Sequence, residues 1–401
     1  TTVLGALSCG IVLTAYRLLR GNSPLLNSLT GAAIYVVGEM ILYWLYGGYD
    51  FAILAYAAVS VHALMLASSI GGMFFVSFLI ALGSALAAEA FAAHSWRRAA
   101  PAVILLAGLA VLVCVPGVAG YTQKPDGAPA NTLSIAILQL GSVFYHTDLV
   151  GKEKDAGFSV PAVEGTIKDA TKGAPDLFIY PFSPVGGILY DTEKPVIRYD
   201  ISTARKEAVA LWFKSLVPAS TTVMLWTDYY QVPDYYSELE FFKDGVSTAT
   251  YRKRDISPFI EYTPAWAQKL GLATAPENIK PGEAVQTIAV GGTVAGGMIC
   301  SEVYQQDLVR ADANRTSVIV SAGLEGFVGK VVRVFSLKAA QFRAAENNIP
   351  VVRANILGPS AIIAGDGSII AGAGADENKI VYGTLEIHST SPSFFSRFGN
   401  L

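Results

Sequence analysis

Cys300 is the residue in this chain best placed to do chemistry. It closes an apolar, strand-like run, Val294 to Ile299, and Ser301 and Glu302 follow at once. Well upstream stand Tyr251-Arg252-Lys253-Arg254 and, shortly after them, Glu261. A thiolate is a strong nucleophile, but at neutral pH it forms only beside a cation or a base. A lysine can hold that thiolate and later the oxyanion of a tetrahedral intermediate. Carboxylates around the lysine keep it charged. Cys300, Lys253, Glu261 and Glu302 therefore suit acyl transfer, if the fold brings them into one pocket. A lone cysteine is more often a buried structural residue, so the weight rests on the group.

The elements that must position these groups fall into two parts. The chain has 401 residues, 52% hydrophobic and 15% charged, against roughly 25% charged in ordinary soluble domains. The deficit is concentrated in residues 1–120, where Arg17, Arg20, Glu39, Asp50, Glu89, Arg97 and Arg98 are the charged residues and lysine is absent. A membrane span needs about 20 mostly apolar residues. Five runs qualify: Thr2 to Leu19, Leu25 to Tyr46, Phe51 to Ile70, Gly71 to Ala93 and Ala99 to Gly120. Arg17 and Arg20 follow the first run and Arg97 and Arg98 the fourth, so the positive-inside rule puts both ends in the cytoplasm. That alternation is satisfied if Phe51 to Ile70 lies in the outer leaflet and breaks at Gly71-Gly72. The last run then delivers residues 132–392 to the outer face. Residues 121–131, rich in Pro, Gly and Asn, read as a linker.

Residues 121–401 have ordinary globular composition. Strands are expected at Leu133–Leu138, Asp176–Tyr180, Thr222–Thr227, Val294–Cys300, Ser317–Ser321, Val351–Asn355 and Ser360–Ile363. Helices are expected at Gly157–Thr171, Ile201–Leu216 and Arg333–Asn347. Hairpins turn at Lys243-Asp244-Gly245 and Gly365-Asp366-Gly367. Strands alternating with helices and hairpins indicate a layered α/β domain, two central sheets with helices outside. The aromatic run Trp226 to Tyr236 suits either packing or the lining of a lipid-facing mouth. The net charge of −3, with no basic cluster, argues against nucleic acid as a partner. Cys9 and Cys114 lie in apolar runs apart from Cys300, so there is neither a disulfide framework nor metal-ligand spacing.

Several segments carry a more specific signal. Gly47-Gly48-Tyr49-Asp50-Phe51, Ser68-Ser69-Ile70-Gly71-Gly72, Tyr251 to Pro264, Ile299-Cys300-Ser301-Glu302-Val303, Arg343 to Asn347, Val352 to Asn355 and Gly358 to Ala361 together resemble the apolipoprotein N-acyltransferase family of the carbon–nitrogen hydrolase (nitrilase) superfamily. The resemblance implies an N-terminal transmembrane helical bundle followed by an α-β-β-α sandwich. Residues 393–401 would begin a return to the membrane, and the family's pattern continues before Thr1 and after Leu401. It implies residence in a bacterial inner membrane, multi-pass, with the hydrolase-like domain on the periplasmic face. It implies a Cys300 thioester formed from a phospholipid acyl donor and passed to the N-terminal amine of a lipidated protein. Lys253 is then the catalytic lysine and Glu261 and Glu302 the supporting carboxylates. No cofactor and no metal are implied.

One position departs from the family. Its general base is a glutamate after a strand ending in Trp-Pro or Tyr-Pro, and here Tyr180-Pro181 is followed by Phe182. Phenylalanine neither accepts nor donates a proton, and general acid–base help contributes typically 10²–10⁴-fold. Either another carboxylate, Glu325, Glu302 or Glu261, takes the role, or the chain is a catalytically impaired relative acting as a binding or assembly factor, for example in conjugal transfer. If the family mechanism is retained in outline, Phe182→Glu is expected to raise turnover by about 10²-fold or more. The stretch Ser321 to Glu325 also departs from the family's Ser-Asn-Asp, so Glu325 stands on the rim of the expected pocket.

Overall fold

The computed structural model describes residues 2–21, 23–45, 47–48, 53–93, 100–108, 110–111, 129–139, 160–181, 203–231, 234–258, 261–272, 279–283, 285–325, 329–388 and 392–400. The described chain divides into two compact units. One comprises Thr1–Asp126, Ala345–Asn348 and Ser391–Leu401, the other Gly127–Ala344 and Ile349–Thr390.

The first unit is helical. Helices Thr2–Leu19 (α1), Pro24–Leu45 (α2) and His62–Ala92 (α3) pack in sequence, and a 3₁₀ turn at Leu54–Ser60 lies on α3. Two of them, Pro24–Leu45 and His62–Ala92, are long and apolar enough to cross a membrane. The run Phe51 to Ile70 is not one helix. Its described part is a 3₁₀ turn followed by the start of α3, and the free N–H groups of the turn are met by side chains. Leu54 N donates to Glu39 Oε1 at 2.7 Å and Ala55 N to Ser77 Oγ at 3.0 Å. The break expected at Gly71-Gly72 is present, with φ −135° at Gly71 and +74° at Gly72. A Cβ on Gly72 would lie 2.5 Å from Asn400 Oδ1 and 2.8 Å from Phe395 Cε2. Both conformation and space therefore call for glycine there. The freed Met73 N–H donates to Glu346 Oε1 at 2.8 Å.

The second unit is a sandwich of two six-stranded sheets. The first runs β12-β1-β2-β3-β4-β5 and the second β11-β10-β9-β8-β7-β6. The strands are Asn131–Gln139 (β1), Leu177–Tyr180 (β2), Thr222–Gln231 (β3), Asp234–Lys243 (β4), Val246–Arg252 (β5), Thr287–Val290 (β6), Thr293–Ile299 (β7), Val318–Leu324 (β8), Val351–Ile356 (β9), Ser360–Ile363 (β10), Ile369–Ala373 (β11) and Lys379–Ile387 (β12). In each sheet a parallel trio, β1-β2-β3 or β7-β8-β9, is extended on both sides by antiparallel strands.

Alternation sorts the strand residues between layers. Ile135, Ile137, Leu177, Ile179, Met224, Leu239 and Phe241 of the first sheet meet Ala295, Ile299, Val318, Val320, Ala322, Val352 and Ala354 of the second. Phe178, Tyr180, Val223 and Leu225 face outward onto Ile167 and Ala170 of the Val160–Thr171 helix and Val209, Ala210 and Phe213 of the Thr203–Leu216 helix. The helix Gln306–Ala313 packs on β7 and β8. The β4–β5 hairpin turns through Asp244 and Gly245, both at positive φ (50° and 76°), as a two-residue hairpin turn requires.

Two strands escape the sequence reading, β6 and β12. One expected boundary is also displaced. The strand ends at Ile299, and Cys300 opens a 3₁₀ turn, Cys300–Tyr304.

Candidate active site

Cys300 sits where β7 turns sharply. Its φ of +50° is uncommon for a residue with a side chain, and strained backbone of this kind clusters at functional sites. The turn is enforced by Glu302, whose Oε2 reaches back to accept the Ile299 N–H at 2.7 Å. Gly323 on β8 makes room: a Cβ there would lie 3.3 Å from Cys300 Cα and 2.5 Å from Asn355 Oδ1. The half-buried thiol lies 3.9 Å from the carbonyl oxygen of Leu324.

Lys253 arrives from the other sheet, just after β5. Tyr251, at the end of that strand, lies flat against Gly297 of β7, where a Cβ would fall 2.3 Å from its Cγ. Gly297 thus lets β5 approach β7. The backbone of Lys253 is fixed by donation to Ser237 O at 2.9 Å and acceptance from Gly282 N at 2.8 Å. Its side chain, 1% exposed, donates from Nζ to both oxygens of Glu261, each at 2.6 Å. Glu261 Oε2 also accepts the Ser257 N–H at 2.8 Å, and Ser257 Oγ lies 3.0 Å from Oγ of Ser301, the residue after Cys300.

Glu302 is fully buried and ties the two segments together. Its Oε1 accepts from Arg254 N at 2.7 Å and Asp255 N at 3.0 Å. Its Oε2 accepts from Tyr251 Oη at 2.8 Å as well as from Ile299 N. Burial pushes the Glu302 carboxyl above its ordinary pKa, and Lys253 and the backbone N–H donors from Asp255, Ile299 and Arg254 oppose this. Hydrogen bonds thus join the segment of Cys300, through Ile299 N to Glu302 and Ser301 to Ser257, to the segment of Lys253 and Glu261.

The electrostatics follow from burial. Desolvation pushes the Cys300 thiol above its ordinary pKa, and the Lys253 charge opposes this while Glu261 and Glu325 reinforce it. Burial alone would lower the pKa of Lys253, but Glu261, Cys300 and Glu302 outweigh it and hold the ammonium above the ordinary lysine value. Lys253 is therefore a fixed cation beside a thiol, and a poor proton shuttle.

Glu325 follows β8 and is nearly buried. It forms an ion pair with Arg353 Nη2 through Oε1, and its backbone N–H donates to Ile356 O at 3.0 Å. Phe182 lies outside the described residues, as do the side chains of Tyr229, Tyr230 and Tyr235 in the aromatic run.

Sequence reasoning missed two buried partners. Arg353 pairs with Glu325, and Asp312 pairs with Arg254, which also donates from Nε to Tyr251 Oη at 3.3 Å. Neither pair leaves a local sequence signal, because partners on separate elements share no spacing rule. Among the described residues no group of His, Cys, Asp and Glu is arranged to hold a metal.

The two-sheet sandwich, with a thiol at the end of β7 and a buried lysine held by a carboxylate after β5, agrees with the match of residues 173–392 to the carbon–nitrogen hydrolase family model. The chain belongs to the carbon–nitrogen hydrolase family. Among characterised proteins it is similar to the apolipoprotein N-acyltransferase of Allorhizobium ampelinum, with 25% identity over 365 residues, 85% of this chain and 64% of that protein. It is also similar to that of Rickettsia bellii, with 31% identity over 105 residues, 26% of this chain and 21% of that protein. The chain thus spans less than two thirds of the length of either relative. Solved structures that resemble it include a carbon–nitrogen hydrolase from Helicobacter pylori (15% identity, TM-score 0.44, 64% of this chain and 90% of that one). Another is an amidase from Nesterenkonia sp. (16% identity, TM-score 0.45, 65% and 92%).

Proposed function

We propose that this chain is a membrane-bound acyltransferase that moves an acyl chain from a phospholipid, through a thioester on Cys300, to the N-terminal amine of a lipidated protein. The reading is supported by Cys300 at positive φ, within electrostatic reach of a Lys253 ammonium held bidentately by Glu261. The likeness to proteins named apolipoprotein N-acyltransferase supplies the substrate class.

In the first step the Cys300 thiolate attacks the ester carbonyl. The C–S bond forms, and the lysophospholipid alkoxide leaves with a proton. In the second, the acceptor amine loses a proton, attacks the thioester and releases the thiolate. Lys253 stabilises the thiolate and then each oxyanion. Glu261 fixes the lysine, and Glu302 fixes both segments. The apolar helices anchor the protein in a bacterial inner membrane, multi-pass, with the sandwich on the periplasmic face. A catalytically impaired binding or assembly factor is the second reading, favoured by Phe182 in the place of the family's glutamate.

The experiment is transfer of labelled acyl from phospholipid vesicles to a diacylated lipopeptide, with both substrates varied. Parallel double-reciprocal lines are the signature of a covalent intermediate. Absence of any transfer, with a folded chain, favours the second reading.

A further inference from the structure

The acyl-transfer reading leaves one job unfilled, removal of the proton from Cys300 and from the acceptor amine. Three carboxylates stood open in the sequence, and their hydrogen bonds separate them. Both oxygens of Glu261 are taken by Lys253, and one also by Ser257 N. Both oxygens of Glu302 are taken by Arg254 N, Asp255 N, Ile299 N and Tyr251 Oη. A proton delivered to either would have to displace a bond that shapes the site.

Glu325 differs. Its Oε1 is held by Arg353, while its buried Oε2 has no hydrogen-bond partner among the described residues. A buried acceptor without a partner costs free energy and calls for an explanation. The carboxylate lies against Gly358, where a Cβ would fall 2.1 Å from Oε2, so its position depends on that glycine. The residue before it, Leu324, is the one whose carbonyl faces the Cys300 sulfur at 3.9 Å. Arg353 is fully buried on β9 and clamps one oxygen, leaving the other to work.

From this geometry we infer that Glu325 is the general base of the site, positioned by Arg353, in place of the residue missing at 182. The inference rests on the acyl-transfer reading. In the first step Oε2 takes the Cys300 proton and returns it to the lysophospholipid oxygen as the ester C–O bond breaks. In the second it takes the amine proton as the C–N bond forms and returns it to the departing Cys300 sulfur. Glu325 ends each half-reaction as it began.

Two readouts on Glu325→Gln in the full chain test this. The first is acyl transfer from phospholipid to lipopeptide, expected to fall by about 10²-fold or more. The second is iodoacetamide alkylation of Cys300 against pH. Loss of a negative charge beside the thiol shifts that profile toward lower pH, so alkylation at a given pH becomes faster. Slower transfer with faster alkylation supports the assignment, whereas a disturbed site would slow both and overturn it. Transfer at the native rate also overturns it. If Glu325→Gln fails to fold because Arg353 loses its counter-charge, Glu325→Asp keeps the charge and shortens the reach. It should lose transfer while keeping the native alkylation profile, and undiminished transfer in that variant overturns the base role. A native chain that never acylates Cys300 removes both the acyl-transfer reading and the base role, even where alkylation shows the two side chains to be coupled.

Discussion

Glu302 and Ile299 are joined by a 2.7 Å hydrogen bond from the Ile299 N–H to Glu302 Oε2, across the turn that carries Cys300. That bond closes the 3₁₀ turn and holds Cys300 at a φ of +50°. The same carboxylate accepts from Tyr251, Arg254 and Asp255, which flank Lys253. One buried side chain therefore ties the segment of Cys300 to the segment of Lys253.

Glu302→Gln puts an NH₂ group where one oxygen accepted two bonds, and since only the Tyr251 hydroxyl can turn to accept, at least one buried backbone N–H loses its acceptor. Each unsatisfied buried donor costs about 1–3 kcal/mol. A loss of unfolding free energy of a few kcal/mol is expected in urea titration, together with loss of Cys300 acylation. Native stability in this variant would contradict the role given to Glu302.

Lys253→Met removes the cation that opposes desolvation of Cys300. The thiol pKa, already raised by burial, should rise further. Alkylation of Cys300 then shifts to higher pH, and acylation at pH 7 falls by about 10²-fold or more, as for loss of an oxyanion donor. An unchanged alkylation profile would show that Lys253 does not act on the thiol.

Gly323→Ala places a Cβ 3.3 Å from Cys300 Cα and 2.5 Å from Asn355 Oδ1. Overpacking of this kind costs typically 1–3 kcal/mol. Acylation should fall more than stability does, because the displaced residue is the proposed nucleophile. Kinetics and thermal unfolding on one preparation separate the two effects.

Much of the sandwich is legible in the sequence, because a strand such as β2, Leu177–Tyr180, is an unbroken apolar run between Asp176 and Pro181. β12 alternates buried Val381, Leu385 and Ile387 with exposed Tyr382 and Glu386, but Gly383 stands in its middle, and an interior glycine weakens a strand pattern. β6 escapes because it has four residues and buries two, Ile288 and Val290. The strand before Cys300 is legible, but its positive φ is not, since that conformation is imposed by the Glu302 bond across the turn. The roles of Glu261 and Glu302 as lysine clamp and segment tie are likewise set by partners that only the fold supplies.

The Asp312 carboxyl is pushed up to about 7 by burial, against the pull of Arg254. Its folded pKa is thus above the unfolded value near 3.9. The native state then binds the extra proton, so its contribution to stability is full below about 4 and is lost as pH rises to about 7. Asp312→Asn should remove that downward slope. The check is the native-minus-variant difference in urea unfolding free energy at several pH values between 4 and 8, and a difference that rises with pH would contradict it.

If Glu325 serves as the base, Phe182→Glu has little left to supply. Turnover of the native chain should change by less than about 10-fold, while the same substitution should restore transfer to Glu325→Gln, given the 10²–10⁴-fold worth of a general base. A large gain in the native background would return the missing base to position 182.

The most direct test of the whole account is the mass of the intact protein after incubation with phospholipid vesicles, without an acceptor. The account predicts one added acyl group, released by neutral hydroxylamine and mapped to Cys300, and none on Cys300→Ala. A folded native chain that gains no acyl group, or one that gains it equally in Cys300→Ala, would contradict it.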